Sequence, residues 1–145
     1  MKPITVVLAD DNQLVREEFR RILEREEDFE VVGEASNGRA AVAMVKKLLP
    51  ALVLMDITMP VLNGLLALKK ILKAVPATNV LMVSVHDEEA YVEAATQSGA
   101  RGYLLKHTAA DLVCGAMREV QKGNTFFSPT IPRSLSQRKQ KKPLA

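Results

Sequence analysis

Asp10, Asp11, Asp56, Ser84 and Lys106 are far apart in the chain, yet each closes or directly follows a short apolar run. Three carboxylates, a hydroxyl and an ammonium suit a site that holds a divalent cation beside an anion. Carboxylates in close company repel unless a cation intervenes, and all-oxygen ligation favours Mg²⁺ over softer metals. A cation held there can escort a phosphoryl group, and one carboxylate can take that group up covalently as an acyl phosphate. Lys106 then offers a point charge, and Ser84 a hydroxyl, to the phosphoryl oxygens. Taken singly, each residue has a plainer explanation: Asp10-Asp11 as a helix cap and its solvated neighbour, Ser84 as a backbone partner, Lys106 as a surface lysine. They become one site only if the fold brings the ends of the runs together.

The pattern of the chain predicts that it does. Ile4–Ala9 is a continuous apolar run suited to a strand buried on both faces, and Asn12 can cap a helix with Val15, Phe19, Ile22 and Leu23 on one side. Phe29–Ala35 reads as a second strand, ending near the turn signal Asn37-Gly38. A helix carrying Val42, Val45, Leu48 and Leu49 follows and is stopped by Pro50. Ala51–Met55 reads as the third strand, and Leu65, Leu68, Ile71, Leu72 and Val75 mark a helix closed by Pro76. Asn79–Ser84 is the fourth strand, and a helix over Asp87–Ser98 ends at Gly99, where a left-handed cap is expected. Gly102–Leu105 is the fifth strand, followed by a helix over about Ala109–Lys122 that stops at Gly123. Gly115 weakens that last helix by about 1 kcal/mol relative to alanine and is expected to admit a close neighbour. Five strand-helix repeats with right-handed crossovers predict an α/β fold, a five-stranded parallel sheet in the flavodoxin-like order 2-1-3-4-5. Its switch point lies between strands one and three, where Asp10, Asp11 and Asp56 emerge.

The chain has 145 residues, the size of one domain, read as a folded unit over 1–125 and a basic, flexible tail or truncated linker over 126–145. Its longest apolar runs fall far short of the ~20 residues of a membrane span, and no signal-peptide pattern precedes the first strand. The reading is a cytoplasmic protein with no membrane association. Cys114 is the single cysteine, which rules out an internal disulfide and a cysteine-based metal site. The net charge of +3 hides an asymmetry: residues 1–132 hold 15 Lys and Arg against 17 Asp and Glu, and residues 133–145 hold 5 against none. DNA binding is therefore not expected from residues 1–125, and the tail (Arg133, Arg138, Lys139, Lys141, Lys142) would give only weak, salt-sensitive, sequence-independent contact.

Ala9-Asp10-Asp11-Asn12, Met55-Asp56-Ile57-Thr58-Met59-Pro60 with Asn63-Gly64, Val83-Ser84, and Gly102-Tyr103-Leu104-Leu105-Lys106 together resemble the receiver domain of bacterial two-component response regulators. The resemblance covers about residues 1–125. Val85-His86-Asp87 and Gly123-Asn124-Thr125-Phe126-Phe127-Ser128-Pro129 are similar to the branch that usually carries a LuxR-type helix-turn-helix output domain. It implies that Asp56 is the phosphoacceptor, receiving phosphoryl from a phosphohistidine on a sensor histidine kinase. It implies that Asp11 and Asp56 bind Mg²⁺ directly, with the Thr58 backbone carbonyl as a further ligand and Asp10 acting partly through water. Ser84 would move to the phosphoryl group, Tyr103 would turn inward behind it, and Lys106 would pair with the phosphoryl oxygens. Such a protein catalyses only its own phosphorylation and dephosphorylation, and its helix 4, strand 5, helix 5 face serves as a homodimer or partner surface.

Two departures from the family pattern stand out. His107 follows Lys106 where many receivers have proline, often after a cis bond, which here would cost ~2.5–4 kcal/mol. Leu135-Ser136-Gln137-Arg138 resembles the opening of an output domain, but the chain ends at Ala145. Either the chain is a stand-alone receiver or it is a fragment. The competing readings are a DNA-binding regulator, a phosphorylation-independent interaction domain, and an aspartyl-phosphate phosphatase. The last typically needs a second acid two residues past the nucleophile, a position held here by Thr58, which cannot serve.

Overall fold

The computed structural model describes residues 2–131. Five alternations of strand and helix run β1 (Ile4–Ala9), α1 (Gln13–Glu24), β2 (Phe29–Ala35), α2 (Gly38–Leu48), β3 (Leu52–Asp56), α3 (Gly64–Ala74), β4 (Asn79–Ser84), α4 (Glu89–Gln97), β5 (Gly102–Leu105) and α5 (Lys106–Gln121). A two-residue strand, β6 (Phe126–Phe127), follows. The sheet is parallel throughout, in the order β2-β1-β3-β4-β5-β6. The expected order of the first five strands is present, but the sheet has six strands rather than five. β6 pairs with the edge of β5, Gly102 opposite Phe126 and Tyr103 opposite Phe127. Two residues are too few for any periodicity, so no sequence pattern announces this strand.

β6 also moves the edge of the folded body. The amide of Ser128 donates to the Tyr103 carbonyl at 3.0 Å, and its buried hydroxyl accepts from the Leu105 amide at 2.9 Å. Ile131 is buried as well. Phe126–Ser128 and Ile131, within the stretch read from the sequence as a flexible tail or truncated linker, pack against the sheet, and the basic residues from Arg133 onward lie outside the described residues. A side chain at Gly102 would collide with the Phe126 carbonyl, so the close approach of β6 depends on that glycine.

Period-2 alternation in the central strands divides the core into two layers. Val6, Leu8, Leu52, Leu54, Leu81, Val83 and Leu104 face Phe19 and Leu23 of α1 and Val113, Met117 and Val120 of α5. Val7, Val53, Met55, Val80, Met82 and Tyr103 face α2, α3 and α4 through residues such as Val45, Leu68, Ile71, Val92 and Ala95. This is the doubly covered parallel sheet whose strands read as unbroken apolar runs.

Local chemistry sets the ends of the helices. The side chains of Asn12, Asn37 and Asn63 cap α1, α2 and α3 by accepting from the amides of Leu14, Ala40 and Leu66. Gly99 and Gly123 take positive φ after α4 and α5, as their places predict. α4 starts two residues later than expected, at Glu89. α5 starts three residues earlier, at Lys106, and the Lys106-His107 bond is not cis. Gly115 meets nothing within 4 Å of where a Cβ would stand, so the expected close neighbour is not there. Among the described residues no helix is long and apolar enough to cross a membrane.

Candidate functional site

The crevice forms at the carboxyl ends of the neighbouring parallel strands β1 and β3. There the chain leaves them toward opposite faces of the sheet, to α1 on one and α3 on the other. Asp56 is the last residue of β3, and Asp10 directly follows β1. Both are nearly buried, at 4% and 6% exposure, whereas Asp11 is exposed. One carboxylate oxygen from each of the three lies within 4.8 Å of the others, so Asp10, Asp11 and Asp56 together could hold a metal ion. The donors are all hard oxygens, which suits a cation of the Mg²⁺ or Ca²⁺ type.

Lys106 enters from the far side. Its Nζ stands 2.9 Å from Asp10 Oδ2 and 3.4 Å from Asp56 Oδ2. The other oxygen of Asp10 accepts from the Asn12 amide at 2.9 Å. These contacts explain the electrostatics. Burial, and then the charge of Asp10, push the Asp56 carboxyl up to about 6, a rise that Lys106 and the Thr58 amide only partly offset. Burial works against the charge of Lys106, but the two carboxylates outweigh it and hold its pKa above the ordinary value. Because α5 begins on Lys106, the partial positive charge of that helix terminus also faces the crevice.

The loops behind the carboxylates form a second set of contacts centred on His86. Ser84, fully buried at the end of β4, accepts from the His86 amide at 3.0 Å. The Tyr103 hydroxyl donates to the His86 carbonyl at 2.6 Å. Tyr103 is turned inward and fully buried, and burial pushes its phenol up to about 12. The His86 ring stacks on Tyr91 of α4, centroids 4.4 Å apart, and its Nε2 lies 3.0 Å from the Thr58 hydroxyl in a bond whose donor depends on the tautomer. The Thr58 amide donates to Asp56 Oδ1 at 3.4 Å, a long and weak bond.

All seven residues singled out in the sequence therefore lie along this edge of the sheet, in two groups. Asp10, Asp11, Asp56 and Lys106 form the charged cluster, while Ser84, Tyr103 and Thr58 are joined through His86. Three participants have a part that the sequence does not show: His86 and Gly64 stand there only as members of the quoted motifs, and Arg16 only as a helix residue. His86 has no metal-binding partner pattern, and its role comes from contacts on three different elements. Arg16 donates to the Asp10 carbonyl at 2.6 Å and to Glu34 at 2.9 Å, with Arg20 on the other Glu34 oxygen at 2.6 Å. Burial would raise the Glu34 carboxyl, but Arg20 and Arg16 reverse this and hold it low. Gly64 is the third: a Cβ there would collide with the Asp56 carbonyl, so α3 seats against the carboxylate-bearing residue only through glycine.

Comparison with known proteins agrees with this geometry. The family model described as the response regulator receiver domain matches residues 6–118. The transcriptional regulatory protein DegU of Brevibacillus brevis is 41% identical over 132 residues, which cover 91% of this chain and 56% of that protein. The crystal structure of a LuxR-family two-component response regulator from Aurantimonas sp. SI85-9A1 superposes with a TM-score of 0.87 at 28% identity, covering 96% of this chain and 99% of that one. The signal receiver domain of the response regulator NarL from Mycobacterium tuberculosis gives 0.81 at 36% identity, covering 86% and 100%. The chain thus spans a little over half the length of the DegU relative and nearly the whole of these two structures. By fold, by the carboxylate crevice and by sequence, this chain belongs to the receiver domains of two-component response regulators, in the branch of the LuxR-family regulators.

Proposed function

We propose that this chain is a phosphorylation-dependent signalling switch, with Asp56 as the phosphoacceptor and a sensor histidine kinase as the donor. The observation that carries the reading is Lys106 held between Asp10 and Asp56 in a crevice of three carboxylates. Mg²⁺ would be held by Asp11 and Asp56, the Thr58 carbonyl, and Asp10 in part through water. When bound it supplies charge neutralisation for the incoming phosphoryl oxygens. Both oxygens of Asp10 are already engaged, by the Asn12 amide and by Lys106, which favours an indirect role for it.

An ionised Asp56 oxygen attacks phosphorus, the P–N bond to the donor imidazole breaks, and the imidazole departs with the electron pair and is protonated. With its carboxyl near 6, Asp56 is mostly ionised at neutral pH. Lys106 stays charged and holds the transferred oxygens. Ser84 turns its hydroxyl to the phosphoryl group, and the added charge of roughly −1.5 to −2 biases the loop that joins it to Tyr103. The α4, β5, α5 face then serves as the surface for a partner or a second copy. In a regulator that also carries a DNA-binding output, this change would control transcription. We place the protein in the cytoplasm, where sensor kinases present their phosphohistidine.

The test is Mg²⁺-dependent labelling by a small acyl phosphate, on the wild type and on Asp56→Asn. Label on the wild type alone, lost when the cation is chelated, is the expected result. An unlabelled wild type would leave a phosphorylation-independent interaction domain, and a labelled Asp56→Asn would move the phosphoacceptor elsewhere.

A further inference from the structure

The slight negative charge of the folded body conceals a strongly basic face. α2 and α3 carry Arg39, Lys46, Lys47, Lys69, Lys70 and Lys73 and no aspartate or glutamate. All six are exposed, and no ion pair among the described residues involves any of them. Among the described residues, unpaired cations occur elsewhere only as scattered residues such as Arg21, Arg25 and Arg101, whereas Arg16, Arg20 and Arg118 each have a carboxylate within 3.0 Å.

Helix chemistry accounts for only half of this charge. Lys46, Lys47 and Lys73 stand in the last turns of their helices, where the macrodipole favours cations. Arg39 stands in the first turn of α2, where the dipole opposes it. Lys69 and Lys70 stand mid-helix, and Lys69 is four residues from Lys73, a like-charge spacing that weakens a helix. Neither helix has an acid in its first turn. Folding gains nothing from Arg39, Lys69 and Lys70.

The two helices enclose a groove lined by Arg39, Val42, Ala43, Lys46, Leu62 and Lys70. Its floor is apolar, and three unpaired cations border it. A phosphate backbone would use the cations and leave the floor without a partner, whereas an amphipathic helix with an apolar stripe flanked by acids uses both. We propose that the groove between α2 and α3 is a docking site for an acidic amphipathic helical segment of a partner protein. This site is separate from the phosphoacceptor crevice and does not depend on the phosphorylation reading.

The probe is a fluorescein-labelled helical peptide of leucine and glutamate, with leucines at i, i+3, i+4 and i+7, measured by anisotropy against the full chain over a series of salt concentrations. Lys46→Glu with Lys70→Glu reverses two groove charges at exposed positions, and Ala43→Trp fills the groove without changing charge. Both variants should keep the wild-type circular dichroism and Asp56 labelling, and both should bind at least about tenfold more weakly, a loss of ~1.4 kcal/mol. Equal binding by the charge-reversed variant would place the peptide on the basic C-terminal residues and overturn the proposal. So would equal binding by Ala43→Trp, or polyglutamate binding as tightly as the amphipathic peptide, because the floor would then have no part. Duplex DNA binding more tightly than the peptide, and lost in the same variants, would overturn it in favour of a nucleic-acid surface.

Discussion

Replacing Asp56 by asparagine should stabilise the protein at neutral pH, even though it removes the proposed phosphoacceptor. Burial and the charge of Asp10 raise the Asp56 carboxyl from 3.8 to about 6 in the folded chain, net of the help from Lys106. Unfolded, the same group titrates at the ordinary value of about 3.9. A carboxyl raised by folding binds its proton more tightly in the native state. Its contribution to stability is fully present below about pH 4 and is lost as the pH rises through about 6. A difference of about two units, at about 1.36 kcal/mol each, makes the ionised carboxylate a liability of about 2–3 kcal/mol at neutral pH. Asparagine keeps the shape and removes the charge. Urea unfolding at pH 7.5 in EDTA should therefore show the variant more stable by about 2–3 kcal/mol, with the gap closing toward zero at pH 4. Mg²⁺ should then raise the wild type more than the variant, because a ligand of the native state stabilises it by mass action. A variant no more stable at pH 7.5, or a gap of equal size at pH 4, would show that the cluster carries no such electrostatic penalty.

Lys106→Met removes the ammonium 3.4 Å from Asp56 and 2.9 Å from Asp10. The Asp56 carboxyl should rise further above 6, so the pH of half-maximal labelling by an acyl phosphate should move upward; an unmoved midpoint would contradict this. Gly64→Ala forces a methyl group against the Asp56 carbonyl and should destabilise by about 1–3 kcal/mol while slowing labelling, as overpacking displaces α3 or the end of β3. Unchanged urea midpoint and labelling rate would mean that the helix yields freely. Ser128→Ala leaves the buried Leu105 amide without its acceptor and should cost about 1–3 kcal/mol in urea unfolding. Wild-type stability in that variant would show that the Ser128 hydroxyl contributes nothing to the fold.

Continuity of burial decided what could be read from the sequence. β1, β4 and β5 occupy the expected residues because apolar runs bounded by turn residues leave little choice of register. β2, interrupted by Glu30 and Glu34 and buried only at its ends, also keeps its expected span at the edge beside β1. β3 shifts by one, to Leu52–Asp56, which makes Asp56 part of the strand rather than of the loop. α5 begins early for a reason no local pattern holds. The Leu105 amide finds its acceptor in Ser128, 23 residues away, so the strand can pass straight into a helix. Arg16 and Glu34 are 18 residues apart, and their pairing depends on α1 lying beside β2. Carboxylates at strand ends are legible because topology alone delivers them to one edge. The side chains that hold those carboxylates in place are chosen by packing, and packing leaves no periodic trace.

His86 is the residue where these two kinds of information meet. Its amide is held by Ser84 and its carbonyl by Tyr103, so one peptide segment is fastened at both ends by the two side chains expected to move. Its ring is fastened too, to Tyr91 on α4 and to Thr58 beside Asp56. On the proposed mechanism, Ser84 cannot turn to a phosphoryl group and continue to serve the His86 amide in the same geometry. Release of that amide loosens the segment on which the Tyr103 hydroxyl and the start of α4 both depend. On that mechanism a hydroxyl movement smaller than one residue would reach a helix face, because the segment between them is bonded at its amide, its carbonyl and its ring. The electrostatic penalty on Asp56 acts in the same direction. A site held in a repulsive arrangement would respond to a bound cation, which relieves the repulsion, with a free-energy change comparable to a sizeable part of the stability of a small domain.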